Sequence, residues 1–179
     1  MDSDGLTIDC VASEQLDGHE LAQIVAMCEL AYDEPLEPLF AALGPASHLI
    51  GRRHGLIVSH VMWVTRWLQP VGMDPLRTAY IEMVASHPAY QGLGYATQLT
   101  VRVPDFIDES YQLAALCPAD TSLYGRLGWV FWRGPLYIRR DGRLLPTPDE
   151  RVMILTLDKT PALDLDAGLS AEWRAGEVW

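Results

Sequence analysis

The order of apolar and polar positions lays the chain out as alternating strands and helices. Residues 6–12 read as a first strand. Leu21, Ile24, Val25 and Cys28 then recur at helical spacing, behind Ser13 or Asp17 as the capping residue. A shorter helix over about 36–43 should stop at Gly44-Pro45. Residues 48–52 and 56–68 flank Arg53-His54-Gly55 and predict a hairpin whose long second arm is rich in β-branched and aromatic side chains. A strand over about 78–86 leads into a loop opening at His87-Pro88, and the glycine-rich run 91–96 starts a helix. Pro104 should kink or end that helix, because proline has no backbone N–H to donate. Residues 111–116 are strand-like, 121–127 form a short helix closed by Gly128, and 136–139 and 152–157 are two further strands. Beyond Asp158 the pattern assigns nothing. The elements make an α/β fold with one mixed central sheet flanked by helices. No repeat or linker divides the chain, so residues 1–179 are expected to be a single domain.

Composition narrows the class. Apolar residues make up 49% and charged residues 21%, as in ordinary soluble proteins. The opening MDSDGLTIDC has neither the basic start nor the apolar run of a signal peptide, and no stretch approaches the roughly 20 apolar residues a bilayer requires. The three cysteines, Cys10, Cys28 and Cys117, fit no disulfide framework or zinc spacing, and the histidines show no paired metal spacing. Reduced thiols in the cytoplasm, no membrane and no metal are the expectation. The net charge of −11 opposes nucleic-acid binding, because an acidic surface repels phosphates. It would draw in a polycation, yet acidity by itself is equally the mark of a soluble surface.

The chemistry begins at Gln91-Gly92-Leu93-Gly94-Tyr95-Ala96. Residues without bulky side chains let backbone approach a pyrophosphate, and unpaired N–H groups at a helix start point toward it. Alone the pattern is weak, since glycine turns before helices are common. It lacks the Gly-Lys-Ser/Thr of a Walker A loop and the further glycine and acidic residue of a dinucleotide fingerprint. About thirty residues later comes Ser122-Leu123-Tyr124-Gly125-Arg126-Leu127-Gly128-Trp129. Together, in this order, the two segments resemble the coenzyme A site of GNAT acetyltransferases.

A finer resemblance is to the aminoglycoside 2′-N-acetyltransferases. It is carried by Tyr80-Ile81-Glu82-Met83-Val84, by residues 111–116, by Leu123-Tyr124 with Leu127-Gly128-Trp129, by Trp132-Arg133-Gly134 and by the ending Trp173-Arg174-Ala175-Gly176-Glu177-Val178-Trp179. The similarity runs from about Leu43 to the last residue. It implies acetyl-CoA as cofactor, held by the backbone of Met83 and Val84 and by Gln91, Gly92, Gly94, Tyr95 and Ala96. It implies Glu82 as the group accepting the amine proton, where position alone would equally fit an exposed or arginine-paired strand glutamate. Tyr124 would protonate the departing thiolate, although a core tyrosine packing its helix looks the same in sequence. A strand bulge at Met83 and Val84 would free an amide to polarise the thioester carbonyl.

For the acceptor, the resemblance implies a polycationic amine, an aminoglycoside above all, met by Asp149 or Glu150, Glu177, Trp179 with the terminal carboxylate, and more loosely Asp33. A tryptophan at the chain end should dock rather than fray. Departures from the family pattern are a shorter 117–122 stretch, Cys117-Pro118 in place of a serine-rich run, and Pro104 in a helix that is normally continuous. They bear on drug range and regiochemistry, not on transfer. Trp63, Arg66 and Trp67 read as core, edge or dimer surface. Transfer is expected to be direct, in a ternary complex, and of the antibiotic-resistance type. A ping-pong route through Cys117 lacks an evident histidine partner. The alternatives are acetylation of another small amine or a protein N-terminus, and a non-catalytic coenzyme A-binding module. Family members are often homodimers, on which the sequence itself is silent.

Overall fold

The computed structural model describes residues 5–107, 109–118, 121–176 and 179. They form two compact units, one of residues 1–64 and 82–106, the other of residues 65–81 and 107–179.

The first unit opens with β1 (Leu6–Ala12) and a single 3-10 turn, then α1 (Gly18–Tyr32) and α2 (Glu37–Leu43). Asp17 is the cap of α1 and accepts the Glu20 N–H at 2.7 Å. The helix buries Ile24, Met27 and Cys28, one face at i, i+3, i+4 spacing, and stops at Asp33, whose backbone is left-handed (φ 58°). β2 (Ala46–Arg53) pairs antiparallel with β1 on one side and with β3 (Leu56–Pro70) on the other. Residues 57–64 of β3 are buried without a break, the signature of a strand covered on both faces. The remainder of the unit is the second part of β4 (Leu76–Ser86) and α3 (Tyr95–Phe106). Pro104 does not itself end the helix: it lies inside α3, in the last turn before the close at Phe106. There it removes the N–H that would bond the Thr100 carbonyl and sets its ring against that carbonyl, and the helix runs on only to Phe106. α3 packs on β2 at Gly51, where a Cβ would stand 3.1 Å from Leu99 Cδ1.

The second unit contains the remainder of β3 and β4, then β5 (Leu113–Leu116), α4 (Thr121–Arg126), β6 (Val130–Phe131), β7 (Leu136–Arg140), β8 (Arg143–Pro146), β9 (Met153–Thr156) and β10 (Leu169–Glu172). Its strand order is β6-β9-β5-β4-β3-β10-β7-β8. The sheet is mixed: β4 with β5 and β10 with β7 run parallel, β5 with β9 and β7 with β8 antiparallel. Residues 65–70 of β3 alternate in burial, with Thr65 and Trp67 exposed and Arg66 inside. Arg66 is 1% exposed and donates from Nη2 to the Glu172 carbonyl at 2.6 Å and from Nε to the Glu172 carboxylate at 3.2 Å, with its guanidinium over the Tyr80 ring. Arg66 and Trp63 are therefore core residues and Trp67 is surface.

Three strands went unforeseen: β6, β8 and β10. β10 lies in the stretch beyond Asp158 that carries no periodicity, and it is a strand because Leu169–Glu172 inserts beside β7 and reaches β3 at Pro70. The segment before it packs on Gly134, whose hypothetical Cβ would sit 1.8 Å from the Ala167 carbonyl oxygen. No side chain fits there, which gives Trp132-Arg133-Gly134 a structural reason of its own.

Candidate active site

In the first unit the centre of the site is β4. Met83 interrupts it with a left-handed backbone (φ 50°), a conformation that a non-glycine residue adopts rarely and at a cost of about 1–2 kcal/mol. Side chains hold the irregularity from outside the strand. His60 Nδ1 lies 3.1 Å from the Met83 carbonyl, the Tyr32 hydroxyl donates to the Val84 carbonyl at 3.1 Å, and the Ser59 hydroxyl donates to the Ala85 carbonyl at 2.8 Å. Successive carbonyls thus have side-chain donors, as expected where ladder bonding is disturbed. Glu82, half-buried, stands immediately before the irregularity. Tyr32 is the last residue of α1, so that helix end, with exposed Asp33 at its cap, is brought to β4.

After β4 a 3-10 turn (Pro88–Tyr90) leads to Gln91. Gly92 (φ 78°) and Gly94 (φ 76°) have backbones that side chains disfavour, and Gln91 to Gly94 are all exposed. The first helical bond of α3 runs from Gln98 N–H to Gly94 O at 2.9 Å, so the amides of Tyr95, Ala96 and Thr97 precede the helical ladder. An exposed loop of left-handed glycines leading into the first turn of a twelve-residue helix presents backbone N–H groups of the kind a pyrophosphate requires, so the residues present fit coenzyme A. Tyr95 itself is buried, so its side chain belongs to the core and its amide to the loop.

In the second unit Tyr124 lies on α4, 7% exposed, edge-on to Trp129 with ring centroids 6.0 Å apart. The Leu127 and Trp129 N–H groups both bond the Tyr124 carbonyl, and Gly128 turns the chain between them (φ 88°). Trp179 is 4% exposed, and its indole Nε1–H donates to Thr147 Oγ1 at 2.9 Å. The chain end therefore docks, beside the segment carrying Asp149, which is exposed, and Glu150, which is half-buried with Oε2 3.9 Å from Cys117 Sγ. Glu177 lies outside the described residues.

The sequence reading left the histidines unassigned, yet two of them stand behind β4. His60 Nε2 is 2.9 Å from His48 Nδ1, and His48 Nε2 is 3.0 Å from the Ser13 hydroxyl. Burial pushes His48 down to about 4. Burial, reinforced by His48, takes His60 to about 3 against the opposing pull of the Met83 carbonyl. Twelve residues apart on two different strands, they carried no motif, so only pairing across β2 and β3, which sets His48 opposite Met62 and Ile50 opposite His60, reveals them. No helix among the described residues is long and apolar enough to cross a membrane.

Residues 14–131 match the acetyltransferase (GNAT) domain family. An aminoglycoside 2′-N-acetyltransferase of Mycolicibacterium fortuitum is 33% identical over 144 residues, 77% of this chain and 73% of that protein. Among solved structures, the GNAT N-acetyltransferase YhbS of Escherichia coli in complex with CoA superposes with a TM-score of 0.64 at 17% identity, covering 97% of this chain and 93% of that one. Eis1 of Mycobacterium abscessus gives 0.56 at 20% identity, over 69% of this chain but 31% of Eis1, so this chain spans about a third of that protein. The matched domain and the identity over most of its length agree with the fold described above: the chain belongs to the GNAT acetyltransferases, enzymes that use acetyl-CoA, and is a relative of the aminoglycoside 2′-N-acetyltransferases.

Proposed function

We propose that this protein acetylates the 2′ amine of an aminoglycoside by direct transfer from acetyl-CoA. Bound acetyl-CoA supplies the activated acetyl thioester. The loop of Gln91, Gly92 and Gly94 and the amides of Tyr95 and Ala96 hold the pyrophosphate, and the Met83 and Val84 backbone polarises the thioester carbonyl. Glu82 takes the proton that the amine loses as its nitrogen–carbon bond forms. Tyr124 gives a proton to the sulfur as the carbon–sulfur bond breaks, so charge balances within one ternary complex. Asp33, Asp149, Glu150, Glu177 and the carboxylate of Trp179 meet the ammonium groups of the drug.

The observation that most supports this reading is the docked chain end. Buried Trp179 bonds Thr147, which Asp149 and Glu150 closely follow in sequence, on a chain of net charge −11, and this suits a polycationic acceptor. The test is thiol release from acetyl-CoA with tobramycin, which has a 2′ amine, and with kanamycin A, which has a hydroxyl there. Turnover with tobramycin alone is the expected result. Removing either proton-handling group should then cost about 10²-fold or more in kcat, in Glu82→Gln and Tyr124→Phe, with CoA affinity retained. Equal turnover of both drugs overturns the regiochemistry, and CoA binding without turnover of either overturns the substrate.

A further inference from the structure

The contact with the Met83 carbonyl selects one arrangement of protons among the polar groups behind it. A carbonyl oxygen only accepts, so the 3.1 Å contact from His60 to Met83 requires the proton on His60 Nδ1. His60 Nε2 is then a bare acceptor, and His48 must donate to it from Nδ1 at 2.9 Å. That leaves His48 Nε2 without a proton, to be filled by the Ser13 hydroxyl at 3.0 Å in preference to its other acceptor, the Ala46 carbonyl at 3.1 Å, while Ser13 Oγ accepts the Ala46 N–H at 3.0 Å. In this arrangement the hydrogen bonds run one way, from the Ala46 N–H of β2 through Ser13, His48 and His60 into β4. Both rings are buried, 2% and 0% exposed, and the His60 ring is flanked by Phe40 of α2 and by Cys28 Sγ at 3.7 Å from Nδ1. Burial and neighbouring Glu29 push the Cys28 thiol up to about 12, so it stays protonated and adds no charge. A second proton on His60 would set two N–H groups against each other across 2.9 Å, in agreement with its depressed value.

We propose that Ser13, His48 and His60 are positioning residues for acetyl transfer: a one-directional hydrogen-bond relay that locks His60 as the Nδ1–H tautomer and so holds the left-handed bulge at Met83. The proposal rests on the reading that the Met83 and Val84 backbone serves the thioester carbonyl. Without the relay, the Met83 peptide loses the donor on its carbonyl, and nothing in its own φ favours the bulge over regular strand. A displacement of about 1 Å at such a point costs on the order of 10²-fold in rate with little effect on binding.

Two measurements separate the relay from its consequence. Long-range nitrogen–proton NMR on the full-length wild-type protein at pH 7 should show both buried histidines neutral and protonated at Nδ1, the tautomer that free histidine disfavours. The signals are assigned by their loss in His48→Gln and His60→Asn. A neutral Nε2–H form of His60 overturns the relay, and this reading needs no variant to fold. The second is steady-state kinetics with acetyl-CoA and tobramycin, beside CoA binding by calorimetry. His60→Leu, which has no donor, should lower kcat by about 10- to 100-fold with CoA affinity within about threefold. His60→Asn, whose amide nitrogen stands where Nδ1 stood, should recover most of that loss. Equal losses in Leu and Asn overturn the positioning role. Wild-type kcat in His60→Leu, with the tautomers as assigned, overturns instead the part given to the bulge in transfer.

Discussion

Acidification should unload stability from the histidine pair before any carboxylate matters. Unfolded, each ring titrates near 6.5; folded, His48 titrates at about 4 and His60 at about 3 because both are buried as neutral acceptors. Below pH 6.5 the unfolded chain therefore binds up to two more protons than the folded one. With that sign, stability rises with pH through the window, is complete above about 7.5, and is lost as pH falls toward the folded values. Each proton contributes about 1.4 kcal/mol per pH unit, so between pH 7.5 and 5 the pair costs on the order of 2–4 kcal/mol, with mutual coupling favouring the lower figure. That is a large share of the roughly 5–15 kcal/mol a domain has. The window lies above the ordinary carboxylate range, and Asp166, held low by Arg133, titrates below it. Urea unfolding followed by tryptophan fluorescence at constant ionic strength, in half-unit steps, measures the slope. The double variant His48→Gln/His60→Asn should be less stable at pH 7.5 but markedly flatter in pH. A flat wild-type profile from pH 7.5 to 5, or an unchanged slope in the double variant, refutes the argument that these rings are buried and neutral.

Two further outcomes follow from packing. Deleting Trp179 removes a buried ring and the bond to Thr147, worth on the order of 3 kcal/mol at a chain end where water can refill the space; it should lower Tm and raise the aminoglycoside KM while CoA affinity, measured by calorimetry, stays unchanged. Arg66→Met removes the donor to the Glu172 carbonyl and one of the donors to its carboxylate and should cost about 3 kcal/mol in urea unfolding, whereas a loss below about 0.5 kcal/mol would show that the aliphatic replacement repacks at no cost.

The elements most legible in the chain were those with local signals. β1, α1 and α2 lie where capping residues, glycines and apolar spacing put them, and the glycine loop opens α3 as its composition implied. β8 had a local signal too, since Asp141 and Gly142 are both left-handed between Arg140 and Arg143, the turn of a two-residue hairpin; its fully exposed residues concealed it from a reading based on apolar pattern. β10 and the segment packed on Gly134 had none, because their contacts are with residues at least thirty positions away.

The sequence by itself determined the family and offered Glu82 and Tyr124 as candidates, because both the glycine loop and these side chains reside in short runs of recognisable residue types. Only the tertiary structure decided that Met83 is left-handed, that Trp179 docks on Thr147, and that Ser13, His48 and His60 line up behind β4. The physical reason is separation. A hydrogen bond between residues 13 and 48, or 60 and 83, leaves no periodicity in either neighbourhood, and a proton's place on an imidazole is set by the partner that strand pairing delivers.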